Sequence, residues 1–210
     1  MKILVLGAGN MGAAFVKQLT IAGHLVTVTA RNDVKAQSVA AANPGAKAVI
    51  ATNAAASVDV VVLATGYSDA VNALLSVGDL SDKVVIDITN PLTDDYMGLT
   101  LGHSTSAAEE ISKSVPTALL VKAFNTVFAP VLADGADFGD GQTVSVLVAS
   151  DNERAKQTTI ALAQSMGFAI IDAGGLKNAR YLEPLAGLNI FLGYGAGLGT
   201  NIAPTWIHKV

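Results

Sequence analysis

Short apolar runs alternate along the chain with segments of helical period. Lys2 to Leu6 has the length of a strand. Asn10 to Ala22 then sets Met11, Ala14, Phe15, Leu19 and Ala22 on one helical face, and Gly23 follows where a C-terminal cap belongs. Leu25 to Thr29 predicts a second strand, Asp33 to Ala42 a second helix stopped by Asn43-Pro44-Gly45, and Lys47 to Ala51 a short third strand. Val58 to Ala64 and Val84 to Ile88 are predominantly apolar runs, the pattern of strands covered on both faces of a parallel sheet. Leu119 to Ala123, Val144 to Ala149 and Phe168 to Ile171 predict further strands. Ser150 to Met166 predicts a helix with a capping box, Ser150 standing three residues before Glu153, and a buried face of Ala155, Thr159, Leu162, Ala163 and Met166. Asn178 to Gly199 predicts one or two closing helices. Repeated strand–helix units with short connections imply an α/β, doubly wound, mostly parallel sheet with a short helical C-terminal part. The expected organisation is a single domain over 1–210, with a core at 1–130 and an extension of the sheet plus closing helices at 131–210.

Composition narrows the function classes. Hydrophobic residues make up 51% and charged residues 14%, which excludes a disordered chain and fits a packed core. The net charge is -4 with no basic block, so a nucleic-acid surface is not expected, because phosphate neutralisation needs clustered Lys and Arg. The absence of cysteine excludes disulfides, thiolate chemistry and cysteine-ligated metal. The aspartates between Asp134 and Gly141 do not match a calcium-loop spacing, and no metal site is expected. The apolar stretch Leu182 to Ile202 is interrupted by Glu183, Pro184, Asn189 and five glycines, which favours a buried helix over a membrane span. The apolar start is broken by Gly7 and Gly9 with no cleavage pattern after it, so the expected location is cytoplasmic.

Gly7-Ala8-Gly9-Asn10-Met11-Gly12 reads G-x-G-x-x-G, directly after the first strand and at the opening of an amphipathic helix. That context is what a dinucleotide site of the Rossmann type requires. Gly7 permits the tight turn, Gly9 removes a side chain that would hold a pyrophosphate off the backbone, and Gly12 lets helix and strand pack closely. The N–H groups at the start of the helix then face the phosphates.

The end of the second strand selects the dinucleotide. An NAD site would carry Asp or Glu there, about twenty residues after the glycine turn, to bind the ribose hydroxyls. This chain reads Ala30-Arg31-Asn32-Asp33-Val34-Lys35. Arg31 offers a planar fork of donors suited to a 2′-phosphate, and Lys35 lies one helical turn further on the same side. Hydrogen bonds to charged groups contribute roughly 1.5–3 kcal/mol each, so two such contacts favour NADP over NAD by about a hundredfold. Asp33 is expected to cap the second helix or point away.

Cofactor and substrate gather beyond the carboxyl ends of strands in such folds. Thr65-Gly66-Tyr67, Thr89-Asn90-Pro91-Leu92 and Phe124-Asn125-Thr126 are therefore expected to line the site. Thr93 to Ser106 is long for a connection and is a candidate lid. No proton donor stands out. Of three histidines, His24 precedes the second strand at the wrong end, His208 lies near the C-terminus, and His103 sits in the candidate lid; Tyr67 is the other weak option. Hydride transfer between a nicotinamide and another cofactor's ring fits that absence, since it needs little beyond stacking and exclusion of water.

At these residues the chain resembles the NADP oxidoreductases dependent on the deazaflavin coenzyme F-420 (F420), which share their nucleotide fold with the cytoplasmic domain of the STEAP metalloreductases. The resemblance rests on Gly7 to Gly12, Ala30-Arg31 with Lys35, Lys122-Ala123-Phe124-Asn125-Thr126, and Asp172-Ala173-Gly174-Gly175-Leu176 followed by Asn178-Ala179-Arg180. It implies NADP on the glycine turn, with Ala8 to Met11 at the pyrophosphate, Arg31 with Lys35 at the 2′-phosphate and Asn125 near the nicotinamide. It also implies a homodimer and a second ring, F420 or FMN/FAD, in a cleft against the C-terminal part. Some members carry His in place of Asn125, and the segment Gly193 to Gly199 is richer in glycine than the family pattern. Asp172, Arg180 and Glu183 read more simply as a cap and ion pairs. Two other readings stay open: a reductase of a small imine or carbonyl, as in pyrroline-5-carboxylate reductases with the same Gly-x-Gly-Asn-Met start, and a non-catalytic NADP sensor.

Overall fold

The computed structural model describes residues 1–206 and 209. Its strands are β1 (Lys2–Leu6), β2 (Leu25–Thr29), β3 (Lys47–Ala48), β4 (Val60–Leu63), β5 (Val84–Asp87), β6 (Leu119–Ala123), β7 (Ser145–Ala149) and β8 (Ala169–Asp172). They form one sheet in the order β3-β2-β1-β4-β5-β6-β7-β8. All neighbours run parallel except β6 and β7. The chain leaves β1 toward β2 and β3, then returns to place β4 on the other side of β1. That reversal opens a crevice beyond the carboxyl ends of β1 and β4, the place where open α/β sheets bind ligands.

Alternation within the strands divides the core into two layers. Ile3, Val5, Val60, Val62, Val121 and Val146 face α1 (Asn10–Ile21), α5 (Ala129–Asp134) and α6 (Glu153–Ser165). Leu4, Leu6, Val61, Leu63, Val85 and Leu120 face α3 (Ala70–Ser76) and α4 (Ala107–Ser114). The short α2 (Asp33–Ala41) lies by the β3 edge and buries only Ala36. The C-terminal part is α7 (Ala179–Ile190), continued by a wider turn over Phe191–Gly195.

The expected strand and helix order is present, with one corrected start. Helix α6 is capped by Asn152, whose side chain accepts from the Ala155 N–H at 2.9 Å. Ser150 and Glu153 form no capping box. The N–H of Ser150 donates to Gly174 O and its hydroxyl to Leu120 O, so the sheet holds that residue in register after β7. β3 is also shorter than the apolar run, because it is an edge and pairs with β2 only through Lys47 and Ala48.

Two charged strand residues are fully buried, Asp87 at the end of β5 and Lys122 in β6. Lys122 is fully buried and its Nζ lies 2.8 Å from Asp87 Oδ2 and 2.9 Å from Glu183 Oε1 of α7. It also donates to Thr89 O. Burial disfavours the ammonium, but the two carboxylates outweigh that and hold the Lys122 pKa above its ordinary value. Glu183 also accepts from the N–H groups of Ala107 at 2.8 Å and Ala108 at 3.1 Å, the first turn of α4. Its carboxylate thus meets the positive end of that helix. The network ties β5, β6, α4 and α7 together. Removing one partner of a buried pair costs about 3–5 kcal/mol. Lys122→Met, which strands two carboxylates, should lower stability by at least about that amount in chemical denaturation. Lys113→Met, which breaks an exposed ion pair with Glu110, should change it by less than about 1 kcal/mol.

Candidate functional site

Two cavities open at the carboxyl ends of the strands. The first, of about 560 Å³, is lined by Gly7, Ala8 and Gly9 of the glycine turn, by Ala30, Arg31, Asn32 and Lys35 beyond β2, and by Thr65, Gly66, Asp69, Asn72 and Ser76 beyond β4. The second, of about 260 Å³, is lined by Asn10 and Met11 of α1, by Asn90, Leu92, Phe124 and Asn125, and by Asn189, Ile190 and Tyr194 of the C-terminal part.

Each glycine of the turn has a separable role. Gly7 has φ +124, and a Cβ there would fall 2.2 Å from Ala64 O; a Cβ on Gly12 would fall 2.0 Å from Gly7 O. Both therefore permit close approach of backbone to backbone. A Cβ on Gly9 meets nothing within 4 Å, so the space above it is free for a ligand. Gly9 is the N-cap of α1, and no side chain caps that helix end. Its N–H groups are thus left for a ligand or water. This open cradle matches the phosphate portion of a dinucleotide.

Beyond β2, Asn32 caps α2 by accepting from the Lys35 N–H at 3.2 Å, so Asp33 is not the capping side chain. Arg31 is 87% exposed at its side chain and pairs across the first cavity with Asp69, Nη2 to Oδ2 at 3.1 Å and Nη1 to Oδ1 at 3.2 Å. Thr29 Oγ1, at the base of this cavity, is buried without a hydrogen-bond partner.

The second cavity is shaped by strain and paired amides. Phe124 is buried at φ +60, a region that costs a bulky side chain about 1–3 kcal/mol. Its ring is fixed edge-on between Phe15, at 5.0 Å, and Phe168, at 5.7 Å. The reversal after β6 brings Asn125 to Asn90: Asn125 Nδ2 donates to Asn90 Oδ1 at 3.0 Å, and Asn90 Nδ2 donates to Asn125 O at 2.9 Å. Asn125 Nδ2 also donates to Leu182 O at 2.9 Å, while its Oδ1 is buried and unpartnered.

Of the residues singled out from sequence, Gly7, Ala8, Gly9, Ala30, Arg31, Asn32, Lys35, Thr65 and Gly66 line the first cavity. Asn10, Met11, Asn90, Phe124 and Asn125 line the second. Gly12 supports the turn from behind. Tyr67 and Pro91 line neither cavity. Burial, and then Glu110, Glu183 and Asp87, push the Tyr67 phenol pKa up, so it is a neutral hydroxyl outside the cleft. His103 is exposed at φ +56 and also lines neither cavity. His24 is tied to Ser165 and the Met1 amine. His208 lies outside the described residues. Asp172 pairs with Lys156, Arg180 with Glu109 and Glu183 with Lys122, the structural roles expected for all three.

Sequence reasoning missed Asp69 in the first cavity and Tyr96, Asn189 and Tyr194 in the second. Tyr96 belongs to the 93–106 connection, which folds back on itself through Thr93 N–H to Gly98 O and a bridge between Leu92 and Leu99. Among the described residues no group of His, Asp and Glu is placed to hold a metal, and no helix is long and apolar enough to cross a membrane.

The fold and the glycine cradle define a dinucleotide-binding α/β protein of the Rossmann class. A model of the family described as NADP oxidoreductase, coenzyme F420-dependent, matches residues 2–91. The F420-dependent NADP reductase of Methanothermobacter thermautotrophicus is 32% identical, over 91% of this chain and 89% of its own. Metalloreductase STEAP3 of Rattus norvegicus is 30% identical over 88% of this chain, which spans only 36% of that relative's length. The solved structure of a candidate F420-dependent NADP-reductase from Arthrobacter sp. FB24 superposes with a TM-score of 0.83 at 30% identity, covering 96% of each chain. The chain belongs to the family of F420-dependent NADP oxidoreductases, and is an NADP-dependent oxidoreductase.

The two kinds of glycine should separate in stability. Gly12→Ala should destabilise the protein by about 2 kcal/mol or more, because backbone must move to admit the methyl group. Gly9→Ala should stay within about 1 kcal/mol of the parent in the same denaturation experiment.

Proposed function

We propose that this chain transfers hydride between NADPH and the ring of a deazaflavin or flavin, with the deazaflavin F420 as the first choice and the flavins FMN or FAD as the alternative. The lining of the second cavity carries this reading. Among its residues only Tyr96 and Tyr194 hold an ionisable group, and both are largely exposed. The remainder are amides, a threonine and apolar side chains, suited to flat rings rather than to proton transfer. Reducing a carbonyl or imine calls for a positioned acid, whereas passing hydride from ring to ring calls for orientation and dryness.

NADPH, when bound, supplies the hydride from its nicotinamide. The chain's contribution is position. The N–H groups at the start of α1 receive the pyrophosphate over Gly9. Arg31, Lys35 and the start of α2 receive the 2′-phosphate. Asn125 Oδ1, lacking a partner, is available to a carboxamide N–H, and the pairing with Asn90 keeps that oxygen in place. Met11, Ile88, Leu92, Phe128 and Ile190 supply the apolar wall that excludes water. The two cavities and the sequence pattern together support each of these assignments. Leu188, Phe191 and Leu198, exposed on and after α7, are the surface that a homodimer would cover.

The acceptor is tested by following NADPH oxidation under anaerobic conditions with F420 and then FMN. Turnover with F420 well above FMN is expected. FMN alone would make the protein a flavin reductase, and turnover with neither, despite tight NADPH binding, would end the ring-to-ring reading. The cofactor assignment is tested separately: Arg31→Ala should weaken NADPH binding by about tenfold or more and leave NADH nearly unchanged.

A further inference from the structure

Arg31 and Asp69 project from opposite walls of the first cavity and meet in a two-pronged ion pair. Arg31 belongs to the connection after β2, Asp69 to the turn before α3. Asp69 stands at the N-cap position of α3, yet its side chain makes no capping hydrogen bond. Its carboxylate is instead committed to Arg31. The pair lies at the surface, with 87% and 42% of the two side chains exposed, so its own contribution to fold stability is small. Such a contact has little reason to exist as a fold brace, and it occupies both arms of the guanidinium fork with which a phosphate would pair.

We infer that Asp69 is a specificity-determining residue that competes with the 2′-phosphate of NADP(H) for Arg31. The inference rests on the reading that Arg31 receives that phosphate. Three charged side chains line the cavity: Arg31, Lys35 and Asp69. Asp69 cancels one of the two cations before the cofactor arrives. A 2′-phosphate must displace it from the guanidinium and then sit near a like charge. NADH carries a neutral ribose hydroxyl at that point and meets neither obstacle. Asp69 therefore reduces the preference for NADP(H) over NAD(H) and hastens release of the phosphorylated cofactor.

Asp69→Asn keeps the size of the side chain and an oxygen that can still accept from Arg31, while removing the charge. The test is equilibrium binding of NADPH and NADH to the parent, Asp69→Asn and Arg31→Ala proteins at low and high salt, with no acceptor present. Asp69→Asn is expected to tighten NADPH about fivefold at low salt, less at high salt, and to leave NADH within about twofold. If Asp69→Asn weakens NADPH, Asp69 holds Arg31 ready for the phosphate and the inference is overturned. Equal shifts for both cofactors would overturn it too, since the effect would not involve the phosphate. The underlying reading fails by a different result: Arg31→Ala weakening NADPH and NADH equally.

Discussion

The buried ammonium of Lys122 is the constraint around which the carboxyl end of the sheet is arranged. An isolated charge at full burial is costly, so the fold must bring anions to it. Asp87 comes from the neighbouring strand, Glu183 from α7, and Thr89 O from the connection that follows β5. Glu183 also engages the first N–H groups of α4. One cation thereby fixes where two connections leave the sheet and where two helices dock. Asn90 and Asn125 stand a few residues beyond Asp87 and Lys122, and their mutual hydrogen bonds continue the same tie into the second cavity. The geometry of the second cavity is thus inherited from an ion network that does not line it.

The first cavity is built on different physics. It depends on close backbone approach at Gly7 and Gly12, on an uncapped helix start at Gly9, and on solvent-accessible charge at Arg31, Lys35 and Asp69. A buried frame shapes the second cavity on one side of the crevice, while solvent-accessible charges line the first on the other; in the proposed reading the former orients rings and the latter select a phosphate. The division suits an oxidoreductase: ring placement tolerates little error, whereas cofactor choice can be tuned by a single charge.

Much of this was legible in the sequence because it is local. Val58 to Ala64 and Val84 to Ile88 read as strands covered on both faces, and β4 (Val60–Leu63) and β5 (Val84–Asp87) within them are buried throughout. The G-x-G-x-x-G turn and the Arg31 tip sit within a few residues of the strands that place them. What was hidden depends on distance along the chain. Asp69 meets Arg31 from 38 residues away, and Asn125 meets Asn90 from 35. The reversed direction of β7 leaves no mark in an apolar run. The capping box at Ser150 failed because sheet hydrogen bonds claimed that serine first, leaving Asn152 to cap α6. Lys122 and Asp87 stand in the sequence as charges inside otherwise apolar strands, a conflict with burial that went unread and that calls for a partner such as Glu183.

Direct hydride passage from NADPH to the ring of the acceptor is measured by incubating the protein anaerobically with NADPH deuterated at the nicotinamide C4, on each face in turn, together with F420. A deazaflavin accepts hydride at carbon, so a transferred label stays on the product rather than exchanging with water. Deuterium recovered in reduced F420 from one face of the nicotinamide only would be the predicted result. Reduced F420 carrying solvent hydrogen, or no reduction while NADPH remains bound, would contradict the account.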